Sequence, residues 1–175
     1  TGNPQPTGSW NCWKTEVLPW TTMALLVRKA NFLYATAEYR LKKYELALNQ
    51  FQQALDLNPD HLQSRVLLGM TLLQQERIED CIYQLSQVLL ADDGLAIAHN
   101  AIGTAYLAKG EYDSAQKHFD RAITLDPKLA DPHLKKGLLN LSQSNATGAE
   151  LELERALEVA PESLNTRFLL ASLYL

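Results

Sequence analysis

The chain has 175 residues, of which 46% are apolar, and its formal charge is −4. That content is too apolar for a disordered chain, and the acidic balance counts against a specific or general nucleic-acid binder. No apolar run approaches the roughly 18 residues that a membrane span needs, Met23–Val27 being far too short, so no span is expected.

Residues 1–9 hold two prolines and two glycines without periodicity and read as a leader, part of it a cloning remnant. Trp10, Trp13 and Trp20 are all the tryptophans in the chain, and they stand just ahead of the first periodic segment. Several readings stay open here: residues 1–18 as a flexible or capping segment that covers the exposed first hairpin, residues 10–18 as a built-in ligand lying in the concave groove or as part of a partner-binding surface, or packing against a domain outside this chain. From Pro19 or Trp20 to Leu41 the residues suit a helix, with the proline in the first turn. Further helices are expected at 44–57, 62–75, 78–91, 96–109, 112–125, 130–143, 146–159 and 164–175, with Gly110 making a tight turn inside the third pair. The last of them ends on Leu173, Tyr174 and Leu175, an apolar finish that more chain or a docked neighbour is expected to cover. Thr1 in place of an initiator methionine suggests an excised domain or a processed product.

These segments repeat with a period of 34 from Arg28 to Ser163. Counted from Arg28, Leu62, Ala96 and Ala130, the eighth position holds Ala35, Gly69, Gly103 and Gly137, where two helices approach closely. The twentieth holds Ala47, Cys81, Ala115 and Ala149, the twenty-fourth Phe51, Leu85, Phe119 and Leu153, and the twenty-seventh Ala54, Val88, Ala122 and Ala156. Small, large, small is the pattern of a second helix buried against a first. Pro59, Pro127 and Pro161 close the hairpins, with Asp93 in the second.

This pattern resembles the tetratricopeptide repeat family, most cleanly in the third repeat with Gly103, Tyr106, Gly110, Tyr112, Ala115, Phe119, Ala122 and Pro127. The resemblance and the period together imply an all-α fold, a right-handed superhelical solenoid of antiparallel helical hairpins. Residues 19–163 form four repeats, and 164–175 form the first helix of a fifth repeat or a capping helix. The second repeat departs most, with Cys81 for alanine and Asp93 for proline, so a looser hairpin and a less sharp exit are expected there. The fourth has Ser144 and Ala146 in place of the turn glycine and aromatic.

A search for chemistry finds little. His99 and His133 share the fourth position of consecutive repeats but supply at most two ligands, so no metal, cofactor or enzyme activity is expected. His61 and His118 have no recognisable catalytic partner. Glu150, Glu152, Glu154 and Glu158 read as a solvated face. Cys81 reads as a packed thiol and not as half of a bridge to Cys12. Asn145-Ala146-Thr147 fits a glycosylation acceptor. No address is readable; the cytoplasm is preferred over the periplasm or a membrane-tethered position.

In the family the first helices line a concave face. Carried over by position, that rule implies a peptide-binding set of Phe32, Thr36, Tyr39, Val66, Met70, Leu73, Asn100, Thr104, Leu107, Leu134, Lys135, Leu138, Leu141 and Phe168. Lys29, Arg40 and Asp131 join them as register-setting charges. The competing reading packs some of these side chains between hairpins. Phe32, Thr36 and Leu67 stand where carboxylate-gripping members have polar residues, so an amphipathic helix or apolar extended segment is the better partner. The implied function is a protein-interaction scaffold, with a structural module that self-assembles, as a homo-oligomer or within a larger assembly, as the alternative.

Overall fold

The computed structural model describes residues 20–174. Among them the order is α1 (Trp20–Arg40), α2 (Tyr44–Leu57), α3 (Leu62–Gln74), α4 (Ile78–Ala91), α5 (Ala96–Lys109), α6 (Tyr112–Leu125), α7 (Ala130–Ser142), α8 (Ala146–Val159) and α9 (Leu164–Ser172), with no strand. These helices stack as a superhelical solenoid of antiparallel hairpins. The readings made for residues 1–18, for a Cys12 bridge and for the tryptophan indoles lie outside the described residues.

Each hairpin closes on the same small-large-small set. Ala47, Cys81, Ala115 and Ala149 are fully buried, as are Phe51, Leu85, Phe119 and Leu153. Each of the latter four contributes about 1.5–3 kcal/mol by leaving water. They seat against the eighth position of the facing helix: a Cβ on Gly103 would stand 2.7 Å from the Phe119 ring, and one on Gly137 2.8 Å from Leu153. Glycine there is a packing requirement. Burial pushes the Cys81 thiol up to about 12, so it stays protonated and inert.

The turns between paired helices share one backbone solution. The fifteenth position is left-handed in all four hairpins, at Lys42 (φ 59), Glu76 (φ 60), Gly110 (φ 77) and Ser144 (φ 59). Only the third uses the residue that adopts this conformation without strain. The two helices of the second hairpin meet over less surface than those of the other three, in line with the looser pairing expected there, but its exit is as sharp as the others. After α4, Asp92 is extended at φ −150 and ψ 98, matching Asn58 at −152 and 93 after α2. Asp93 replaces the proline's constraint with bonds: its carboxylate accepts from Arg121 at 2.6 Å, and Asp92 accepts from the Gly94 amide at 2.9 Å.

First helices also touch each other. α3 contacts α1 and α5, and α5 contacts α7, whereas α2, α4, α6 and α8 make no comparable contacts among themselves. The first helices therefore crowd the inside of the curve and form its concave face. Among the described residues no helix is long and apolar enough to cross a membrane.

Candidate functional site

Helical spacing puts positions five, nine and twelve of each first helix on one stripe, and the curvature turns those stripes toward a common groove. Phe32, Tyr39, Val66, Met70 and Leu73 are half-buried, resting against the large core cluster. Leu107 rests against the smaller cluster of Ala115, Phe119 and Leu139. Leu134, Lys135, Leu138 and Leu141 are half-buried as well, while Phe168 on α9 is 74% exposed. Thr36 and Thr104 spend their hydroxyls on the carbonyls of Phe32 (2.8 Å) and Asn100 (2.9 Å), one turn back. They therefore add little polarity to the groove.

Two hollows interrupt this face. A central one of about 120 Å³ draws together Tyr39, Met70, Leu73, Asn100, Thr104 and Lys135 from four helices, along with Gln74, Ile97, Ala101 and Asp131. Across it the Asn100 amide donates to Asp131 at 2.7 Å, tying α5 to α7, while Asn100 Oδ1 is buried without a hydrogen-bond partner. Burial, reinforced by Tyr44, pushes the Tyr39 phenol up, so it stays neutral. A larger hollow of about 410 Å³ at the α1 end holds Phe32 with Leu25, Leu26, Leu33, Arg28, Lys29 and His61. Thr36, Val66, Leu107, Leu134, Leu138, Leu141 and Phe168 line neither hollow.

Away from the groove, the structure corrects the reading of Glu152 and gives His118 a hydrogen-bonding neighbour. His118 has a partner: its Nδ1 lies 3.1 Å from Nδ1 of His99, which is buried and faces Asp93 through Nε2 at 3.2 Å. Burial, followed by the neighbouring His99, holds the His118 imidazole below its ordinary value. Glu152 is buried and not part of a solvated face. It meets His133 at 2.8 Å and Lys136 at 2.8 Å, and Lys136 reaches on to Asp120 at 2.8 Å. Burial alone would raise Glu152, but the hydrogen bonds from Lys136 and His133 outweigh it and keep the carboxylate ionised. A sequence signal for these pairs exists: Arg65–Gln84, His99–His118 and His133–Glu152 are each nineteen residues apart, joining position four of a first helix to its own second helix. His99 and His133 thus serve separate hairpins. Among the described residues no group of three or more His, Cys, Asp or Glu side chains could hold a metal ion.

Comparison with known proteins places this geometry. A family model described as "Tetratricopeptide repeat" matches residues 96–129, and one described as "Anaphase-promoting complex, cyclosome, subunit 3" matches residues 28–88. Anaphase-promoting complex subunit 3 of Schizosaccharomyces pombe is 26% identical over 133 residues, covering 76% of this chain; the chain spans only 20% of that relative's length. Among solved structures, a thermophilic TPR protein of Thermus thermophilus has a TM-score of 0.77 at 23% identity, over 84% of this chain and 81% of that one. An APC/C hetero-tetramer chain has a TM-score of 0.78 at 20% identity, over 88% of this chain and 32% of that one. The two structural matches speak for the fold.

Proposed function

Because the chain belongs to the tetratricopeptide repeat family, a fold that is typically a non-enzymatic scaffold for protein assembly, we propose that it binds a partner helix or peptide in its concave groove. One observation carries this reading: the first helices of four successive repeats converge on a hollow whose apolar lining is Tyr39, Met70, Leu73, Ile97 and Ala101. An apolar hollow of that kind gains by receiving side chains that leave water with it. Asn100, Asp131 and Lys135 at its rim supply orientation, since polar groups in such sites fix register more than they add affinity.

The test is a comparison of the parent chain with a Met70→Asp, Leu138→Asp variant as baits in native extract. Each aspartate puts a charge into a desolvated contact, so the specific partner should bind at least about tenfold more weakly. A partner retained equally by both baits, with identical helical spectra, defeats the groove reading.

A second reading, assembly into a larger complex through the exposed apolar face of α9, is favoured by that helix. Leu164 and Phe168 there are 78% and 74% exposed, in a helix whose Thr166 is already packed on α8. The relative named as an anaphase-promoting complex subunit is compatible with such a role. A Leu164→Glu, Phe168→Glu variant that keeps every partner counts against it.

A further inference from the structure

We infer that the partner segment is acidic as well as apolar; this rests on the groove reading above and adds the sign of the charge. The protein as a whole is anionic, at −4, yet its concave face is not. Arg28 and Lys29 stand at the rim of the larger hollow, where no carboxylate appears among the described lining residues. Arg40 ends α1, and Lys135 lines the central hollow. The one carboxylate in that hollow, Asp131, already has an oxygen engaged by the Asn100 amide.

Six other cations are engaged away from this face. Among the described residues the ion pairs use Lys43, Arg77, Lys109, Arg121, Lys136 and Arg155, none of them a groove cation. The threonines of the groove are bonded back to their own helices, and the charge left for a partner to meet is net cationic: Arg28, Lys29, Arg40 and Lys135 against Asp131. Charge complementarity across an interface selects partners and fixes register, and a like-charged segment is rejected. A basic amphipathic segment, attracted to the protein at long range by its net charge, would therefore meet the wrong sign on this face.

The experiment selects displayed random dodecapeptides on the full chain. The expected pool is apolar with a surplus of Asp and Glu. A representative synthetic peptide should lose about tenfold or more in affinity on a Lys29→Glu, Arg40→Glu, Lys135→Glu variant, and should also weaken as salt is raised. The corresponding glutamine variants, which avoid introducing new charge, keep the test decisive should the reversal unfold the chain. A neutral or basic pool whose binding is abolished by Met70→Asp with Leu138→Asp overturns the acidic partner and leaves the groove standing. A pool indifferent to those aspartates overturns both. Sedimentation showing a dimer that the charge reversal dissolves would give the groove to a second copy and overturn the proposal. So would a shift of tryptophan emission caused by the reversal without peptide, since that emission reports only Trp10, Trp13 and Trp20.

Discussion

Replacing Gly103 by alanine isolates the closest helix crossing in the third hairpin. The new Cβ would lie 2.7 and 2.8 Å from two atoms of the Phe119 ring and 3.2 Å from the Ala115 carbonyl oxygen, well inside ordinary contact on two sides. Phe119 is fully buried and cannot swing away, and Ala115 is equally enclosed. Overpacking of this kind costs about 1–3 kcal/mol. Alanine in place of a helical glycine returns roughly 1 kcal/mol. The net expectation is a destabilisation of about 1 kcal/mol, read as a lower urea midpoint at unchanged slope. Phe119→Leu in the same chain should relieve the clash, so the two substitutions should couple by about 1 kcal/mol. A Gly103→Ala midpoint equal to or above the parent's, or strict additivity with Phe119→Leu, would refute the crossing.

Lys42→Gly, Glu76→Gly and Ser144→Gly should each raise the unfolding midpoint, by about 0.5–1 kcal/mol, because each relieves a left-handed residue. Gly110→Ala should lower it by about 1 kcal/mol for the same reason. Lys136→Met removes the cation that bridges Asp120 and the buried Glu152, and should cost about 3 kcal/mol in chemical denaturation. The His118 imidazole lies below its ordinary value of 6.5, so on acidification the unfolded chain takes up the proton first. Its contribution is therefore intact above that value and declines as pH falls through the lowered folded value. Thermal melts should lose stability over that range, and His118→Gln, facing the same His99, Asp93 and Tyr106, should flatten the decline; an unchanged profile would show that the pair is not responsible.

The period of the sequence determined the helices almost to the residue, because in a solenoid each repeat packs on its neighbours and local pattern is nearly the whole fold; the exception is α9, which stops at Ser172 and does not run through the expected 164–175. Position eight facing position twenty-four is legible wherever a glycine or alanine recurs opposite a phenylalanine or leucine. The stripe of groove candidates follows from the same phase, but its two hollows depend on curvature, which no single helix encodes. Tertiary structure alone showed that Lys42, Glu76 and Ser144 adopt the glycine conformation, since the helices they join fix the turn whatever residue occupies it. It also showed that Asp93 substitutes for proline by bonding Arg121 and His99. The polar pairs escaped the sequence reading for a related reason: Glu152 is followed in sequence by the exposed Glu154 and Glu158, and only the approach of α7 brings His133 and Lys136 to it. A charge's partner on another helix decides whether it is solvated or buried, and that partner is a property of packing.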